Sequence, residues 1–156
     1  MADNRDTAGV IAPPPLLWLA AILVGAAAGW AWPLPFLPPG SGLHWLGLII
    51  FGLGLLLFVW AAFNFQRAGT NVPTNRPTMA IVTTGPYHLS RNPIYVAMLI
   101  GQIGIAVFFD NAWQFATAIL FALVLRYGVI AREEAYLERK FGVTYGNYKL
   151  RVRRWL

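Results

Sequence analysis

Hydrophobic residues along this chain are gathered into four long blocks, which proline-rich or polar stretches separate. The blocks cover residues 16–32, 43–63, 94–109 and 112–130. A transmembrane helix needs about 20 mainly apolar residues, and each block approaches that length, although the third is short. The pattern therefore predicts an all-α fold: a polytopic membrane helical bundle of about four transmembrane helices in a single domain.

The connections between these blocks predict how the helices are arranged. Only "DNA" parts the third block from the fourth, which predicts an antiparallel helical hairpin with Asp110 or Asn111 capping the fourth helix. The second connection is long and has no convincing helical pattern, and such loops are uncommon unless they are functional or disordered. Its aromatic residues and the semi-apolar stretch "MAIVTTGPY" disfavour disorder, so we expect this connection to be functional.

The helical pattern of the fourth block does not end where the membrane should end. It continues through "AREEAYLERKF", and Gly142 is suited to terminate the helix. The pattern restarts near Thr144, so we expect a cytoplasmic helix extension followed by a short amphipathic segment in an anionic headgroup layer. The residues expected to contact the headgroups are Lys149, Arg151, Val152, Arg153, Arg154, Trp155 and Leu156.

Composition and charge place the chain in a membrane and orient it there. Hydrophobic residues make up 58% of the chain and charged residues 12%, whereas a soluble domain has about half and about a quarter. The 12 Lys and Arg residues lie at the N-terminus (Arg5), in the second connection (Arg67, Arg76, Arg91), or from the end of the fourth block onward. With four spans they share one side, which the positive-inside rule makes cytoplasmic together with both termini. We therefore expect an integral protein of the bacterial inner membrane and no nucleic-acid partner.

The residue inventory excludes some chemistry and indicates how the helices pack. The chain has no cysteine, and His44 and His88 lie far apart, so we expect neither a disulfide nor a metal site. Gly25 and Gly29 form a small-residue face that lets another helix approach closely. Packing within one bundle is the favoured interpretation of that face, and a homodimer interface is the alternative.

Polar and aromatic residues crowd the start of the third block, in "GPYHLSRNPIY". Pro93 suits the first turn of a helix and Asn92 suits its N-cap. The free backbone amides of that helix start would then face the cytoplasm and favour an anion. In the alternative interpretation these two residues only start a helix, while Tyr87, Arg91 and Tyr95 anchor the chain at the membrane interface.

A second polar cluster contains Glu133 and Glu134. Acidic residues close to a membrane span usually bear on function when they face the protein interior. The alternative is a solvated network of ion pairs, which is the favoured explanation of Glu138. Neither cluster identifies an activity when it is taken alone.

The two clusters together carry a resemblance to a known family. "TGPYHLSRNPIYVAM", a helical hairpin and then "EEAYLERKFGVTYGNYKLRVRRWL" resemble the isoprenylcysteine carboxyl methyltransferase family and its phospholipid methyltransferase relatives. The family pattern is approximately G-x-Y-x-x-x-R-H/N-P-x-Y before one helix, then E-E, F-G and Y-x-x-Y after the next. The match covers residues 79–156, whereas the first two spans match only as generic membrane helices.

The resemblance implies an integral membrane enzyme that uses S-adenosylmethionine, bound by residues 79–95 and 131–156. A sulfonium cation favours aromatic faces and a carboxylate, and an amino-acid carboxylate favours helix-terminal amides or Arg91. The residues that the resemblance and this chemistry assign to the cofactor are Met79, Ala80, Ile81, Val82, Tyr87, Arg91, Asn92, Pro93, Ile94, Tyr95 and Glu133.

Two departures from the family pattern bear on the substrate. Asn92 stands in place of the histidine of the prenylcysteine enzymes, and Val129 stands where those enzymes carry a substrate-holding arginine. A prenylcysteine carboxylate is therefore not the expected substrate. We assign Arg126 and Arg132 to orienting an anionic headgroup, and Glu134, with His88 as the alternative, to accepting a proton from an amine acceptor.

The expected function is an S-adenosylmethionine-dependent membrane methyltransferase that acts on a small lipophilic or lipid-borne acceptor. The first alternative is phosphatidylethanolamine N-methylation. The second alternative is a small non-enzymatic membrane scaffold held together by its glycine-rich helix faces.

Overall fold

The structure is a computed structural model that describes residues 6–70 and 77–156. Arg5 and Arg76, which contribute to the charge pattern above, lie outside the described residues. Within the described ranges the chain is helical and contains no strand. The predicted fold class, an all-helical membrane bundle, is confirmed.

The helices follow the hydrophobic blocks to within a few residues. The first helix, the second helix and the continuous helix Trp113–Phe141 are each long and apolar enough to cross a membrane, whereas the third has only 16 residues. The fourth, continuous helix consists of two α-helical parts joined by a π-helical turn. The bounds are α1 Pro14–Ala31, α2 His44–Arg67, α3 Pro93–Phe108, α4 Trp113–Val124, the π-helical turn Leu125–Ile130, α5 Ala131–Phe141 and α6 Val143–Arg151.

Glycines let the backbones of α2 and α3 approach closely. A Cβ added at Gly104 would lie 2.5 Å from the Phe51 backbone nitrogen, and one at Gly47 would lie 2.3 Å from that of Phe108. A Cβ added at Gly25 of α1 would likewise lie 2.8–2.9 Å from side-chain atoms of Gln114 and Thr117 in α4. The small-residue faces therefore pack within the bundle, and a homodimer interface stays a prediction.

Replacing Gly104 with alanine is expected to lower the free energy of unfolding by about 1–3 kcal/mol, because the added methyl group would push α2 and α3 apart. The matched control is Gly52→Ala in α2, where an added Cβ meets no atom within 4 Å. Unfolding of both variants in detergent, followed by circular dichroism, measures the difference. Equal stabilities of the two variants would show that this close approach is not needed.

Asp110 and Asn111, the two polar residues of the hairpin between α3 and α4, form hydrogen bonds with different parts of the chain. Asn111 accepts a hydrogen bond from the first amide of α4, at Trp113, over 3.1 Å. Asp110 does not cap α4: its carboxylate accepts hydrogen bonds from the Phe36 and Leu37 amides, each over 2.8 Å. Asp110 therefore ties the connection between α1 and α2 to the hairpin.

The end of the chain folds back onto the bundle. Gly142, with φ 50°, ends α5 as predicted and lets α6 turn back. Tyr145, Tyr148 and Val152 form a buried cluster against α5 and residue Ile81.

The expected headgroup contact is therefore wrong for part of the tail. Val152 is buried, Trp155 packs against the main hydrophobic cluster, and Arg154 pairs with Glu134. These side chains reach protein partners because α6 lies against α5. Arg151 is exposed.

Candidate active site

Residues 85–95, called here the 85–95 segment, comprise a turn and the first three residues of α3. Gly85 has φ 60°, and a Cβ there would lie 2.6 Å from the Asn64 side chain of α2. A 3₁₀ turn follows over Gly85–His88, and it buries Tyr87. The Tyr148 hydroxyl donates a hydrogen bond to the Tyr87 carbonyl over 2.8 Å. The turn is thus held from both α2 and α6.

Asn92 occupies the N-cap position of α3, but its side chain has another partner. The Asn92 amide group donates to the Arg154 carbonyl over 2.8 Å, and the Arg91 backbone amide donates to the Arg153 carbonyl over 2.9 Å. Asn92 is thus the N-cap residue and Pro93 starts α3, as predicted, but the Asn92 side chain makes no capping hydrogen bond because its amide nitrogen binds the C-terminal tail. The tail and the 85–95 segment are held together by these bonds.

Glu134 lies at the centre of a buried cluster of charges. Its two carboxylate oxygens accept hydrogen bonds from the Arg154 guanidinium over 3.0 and 2.7 Å. Arg91 Nη2 lies 3.2 Å from the same carboxylate, and the side chains of both residues are 9% exposed. The Nε and Nη1 atoms of Arg91 are buried and have no hydrogen-bond partner among the described residues. They are available to an anionic group of a ligand.

Glu133 brings the second polar cluster into contact with the first. The Tyr95 hydroxyl donates a hydrogen bond to the Glu133 carboxylate over 2.8 Å. Glu133 lies in α5, beyond the span expected to end at residue 130, and burial raises its pKa to about 7. The hydrogen bond from Tyr95 opposes that rise, and the neighbouring charge of Glu134 adds to it.

These residues line a cavity of about 390 Å³, a size typical of small-molecule sites. Its polar part is formed by the 85–95 segment, α5 and the tyrosines of α6, and its apolar part includes Phe58 and Met98. The hydroxyl of Tyr87 is buried without a partner among the described residues, and burial raises the pKa of this group well above its usual range. The cavity therefore combines fixed polar groups with an apolar wall.

The structure brings most of the predicted site residues to this cavity. Every residue assigned to the cofactor lines it except Met79, which is 65% exposed. Glu134 also lines it, whereas His88 is exposed and does not. The contact of these residues with a cofactor stays a prediction.

The two arginines assigned to the substrate lie outside the cavity lining. The Arg126 guanidinium lies over the Tyr127 ring, 5.5 Å from its centroid. Arg132 Nη1 donates a hydrogen bond to the Gly9 carbonyl over 2.8 Å. Val129, in the position of the family arginine, is fully buried in the hydrophobic cluster. The structure does not bring either arginine to Glu133, and their catalytic roles stay predictions.

Several residues of the site were missed by sequence reasoning. Tyr136 of α5 and the prolines at the start of α1 line the cavity. Arg154 does not line it but reaches Glu134 from the tail. The Y-x-x-Y spacing of Tyr145 and Tyr148 was a usable signal, because residues three apart share a helix face. The pairing of Arg154 with a residue 20 positions away had no such signal.

Comparison with known proteins identifies the family of this helical membrane protein. The family model described as phospholipid methyltransferase matches residues 43–144, which is more than half of the chain. The matched region contains α2, α3 and both polar clusters. The chain belongs to the phospholipid methyltransferase family.

Three individual relatives show how far the likeness extends. An uncharacterised protein of Haemophilus influenzae is 41% identical over 63 residues, which cover 40% of this chain and 100% of that protein. Protein-S-isoprenylcysteine O-methyltransferase B of Arabidopsis thaliana is 34% identical over 123 residues, 73% of this chain and 61% of the relative. The nickel-cobalt-cadmium resistance protein NccN of Alcaligenes xylosoxydans xylosoxydans is 26% identical over 93 residues, covering 60% and 43%. The chain thus spans less than two thirds of the latter two relatives, and no solved structure matches it.

Proposed function

We propose that this protein is an S-adenosylmethionine-dependent membrane methyltransferase that acts on a small lipophilic or lipid-borne acceptor. The observation that carries the proposal is the contact of Tyr95 with Glu133 inside the cavity. Two segments that a helical hairpin separates in sequence meet there. The family to which the chain belongs supports the same reaction class.

The polar groups of the cavity suit the charges of the cofactor. A sulfonium cation is favoured by the Glu133 carboxylate and by the aromatic faces of Tyr87 and Tyr95. The buried and unpartnered Nε and Nη1 atoms of Arg91 suit the amino-acid carboxylate, which a guanidinium binds with charge-assisted hydrogen bonds. The cofactor, when bound, supplies an activated methyl group.

The main task of the residues of this chain is to align the acceptor with the methyl group and to exclude water. Methyl transfer is a single displacement at carbon, so the acceptor atom must be held in line with the methyl group. The apolar side chains of Phe58 and Met98 would keep water from that part of the cavity. Glu134 contributes by holding Arg91, because both of its oxygens are occupied by guanidinium groups.

The charge pattern supports a location and an orientation. Arg67, Arg91 and the C-terminal Lys and Arg residues lie at the same end of the expected four spans. In a bacterial inner membrane this end would face the cytoplasm, where S-adenosylmethionine is made. The proposed site is therefore cytoplasmic, and its apolar wall lies at the inner leaflet.

Transfer of a radiolabelled methyl group tests the activity directly. Purified protein in detergent, incubated with methyl-labelled S-adenosylmethionine and membranes of the host, is expected to label the lipid-extractable fraction. Glu133→Gln, in which the carboxylate charge is lost, should label far less. A folded protein that labels nothing would instead favour the non-enzymatic scaffold.

Phosphatidylethanolamine N-methylation is the second candidate, which the description of the matched family favours. Expression in a host that lacks methylated headgroups is expected to produce mono-, di- or trimethylated phosphatidylethanolamine. Mass spectrometry of the extracted lipids detects these species. Their absence, together with label transfer to another lipophilic product, would eliminate this candidate and leave the broader proposal intact.

The affinity for S-adenosylmethionine is expected to fall as the pH is lowered through about 7, because Glu133 then becomes neutral and no longer attracts the sulfonium cation. The free carboxylate binds the cation, so binding favours loss of the Glu133 proton and is strongest above that pH. Calorimetric titration from about pH 5.5 to about pH 8.5, roughly 1.5 units below and above the Glu133 pKa, measures this dependence. S-adenosylhomocysteine is the matched control because its sulfur is uncharged, and parallel pH profiles for the two ligands would contradict the assignment.

A further inference from the structure

Residues 6–15, called here the N-terminal strap, comprise the segment that leads into α1 and the first two residues of that helix, and they lie along the fourth helix. The Ile11 amide donates a hydrogen bond to the Gly128 carbonyl over 3.3 Å. Arg132 holds the Gly9 carbonyl, as described above, and Lys140 forms an ion pair with Asp6. The strap is therefore attached to this helix at three levels.

The fourth helix is shaped to receive the strap. A Cβ at Gly128 would lie 2.4 Å from the Ile11 Cδ1 atom, so Ile11 packs here because Gly128 has no side chain. Val10 packs against the main hydrophobic cluster. The strap is thus held by apolar packing in addition to its polar contacts.

The strap also forms one wall of the cavity. Its cavity-lining residues are Ala8, Pro13, Pro14 and Pro15, all of which are apolar. Pro13 and Pro15 are exposed as well, so this wall separates the cavity from the molecular surface by a single layer of residues. The wall lies where α1 begins, at the expected boundary between the cytoplasm and the lipid.

The Tyr136 hydroxyl connects this wall to the opposite one. It donates a hydrogen bond to the Asp6 carboxylate over 2.7 Å and accepts one from the Thr78 amide over 3.3 Å. Lys140 Nζ lies 3.1 Å from the same hydroxyl. The Tyr136 ring is itself buried and lines the cavity, so one side chain fixes the strap relative to residues 78–82.

We propose that the N-terminal strap is the acceptor side of the site, and that Tyr136 is the positioning residue that holds it there. The apolar chain of the acceptor would enter beside Pro13 and Pro15 and lie against the prolines, opposite the polar groups assigned to the cofactor. Identifying the bound chain with a methyl acceptor rests on the proposed function. The existence of the apolar site does not.

Photolabelling tests the site without requiring methyl transfer. The probe is lysophosphatidylethanolamine with a diazirine on its acyl chain, added to the full-length protein in detergent. Mass spectrometry after illumination is expected to locate adducts on the strap, in competition with unlabelled lysophosphatidylethanolamine. Adducts confined to the lipid-facing surfaces of α1 and α2, without competition, would overturn the proposal.

Tyr136→Phe is expected to reduce the strap adducts about 2- to 10-fold, because it removes the hydrogen bond to Asp6 but keeps the ring. Hydrogen exchange at the Ile11 amide should rise by a similar factor. Arg132→Gln, which loses the bond to Gly9 at an exposed position, should act in the same direction. Tyr127→Phe on the exposed face of the same long helix is the matched control.

The outcomes separate this inference from the proposed function. Calorimetric affinity for S-adenosylhomocysteine should change less than about 2-fold in Tyr136→Phe, because the groups assigned to the cofactor are retained. Strap adducts that match wild type in both Tyr136→Phe and Arg132→Gln would overturn the positioning role. Competed strap adducts in a protein that binds no cofactor would instead reject the proposed function and retain the apolar site.

Discussion

Replacing Glu134 with alanine is expected to lower the free energy of unfolding by about 3–5 kcal/mol, because it leaves the buried Arg91 guanidinium without its partner. The Arg91 and Glu134 side chains are each only 9% exposed, so solvent compensates little of that loss. The same change should also release Arg154 and loosen the bonds between the C-terminal tail and the 85–95 segment. Chemical denaturation of the purified protein in detergent measures the loss.

Glu138→Ala provides the matched control for this experiment. Glu138 lies one turn further along α5 and pairs with Lys149 at the surface. Exposed pairs contribute little to stability, so this variant should unfold at nearly the wild-type denaturant concentration. Glu134→Ala and Glu138→Ala proteins of equal stability would contradict the structural role assigned to the buried cluster.

Glu133→Gln is expected to weaken S-adenosylmethionine binding about 10- to 100-fold, because a charged hydrogen-bonding group contributes about 1.5–3 kcal/mol at a partly buried site. The affinity for S-adenosylhomocysteine should fall less, since its sulfur carries no charge. Calorimetric titration of the two ligands measures both effects. The glutamine preserves the size of the side chain and can still accept the hydrogen bond from Tyr95.

Glu138→Gln removes a carboxylate from the same helix outside the cavity and should leave both affinities unchanged. An unaltered affinity in Glu133→Gln would reject Glu133 as a partner of the sulfonium. An equal loss for both ligands would show that Glu133 contributes through cavity shape and not through its charge.

The helices could be predicted because their signal is local. Each hydrophobic block contains the information for one helix, and prolines mark the starts of α1 and α3. Gly142 ends α5 through a backbone conformation that glycine adopts without strain. Such features depend on a few neighbouring residues, which a single sequence displays directly.

The candidate site was predictable only where it coincided with such a signal or with the family pattern. The family pattern indicates Tyr95 and Glu133 as site residues, but their contact depends on how the α3–α4 hairpin closes. The π-helical turn was not predicted, because its residues "LRYGVI" show no distinct pattern.

Long-range pairings account for the contacts that the sequence does not predict. The Asn92 side chain was assigned to the start of α3, yet it binds the Arg154 carbonyl 62 positions away. The N-terminal strap likewise meets Tyr136 from 130 positions away. Hydrophobic periodicity carries no information about such partners, because they meet only when the helices have packed together.

A structure determined with S-adenosylhomocysteine bound is the most direct measurement of the central claim, that the 85–95 segment and α5 enclose a methyl-donor site. The ligand is expected in the cavity, with its sulfur beside Glu133 and Tyr95 and its carboxylate at Arg91. Density for the ligand at the opposite end of the bundle, for example near Trp30 and Asp110, would contradict the claim.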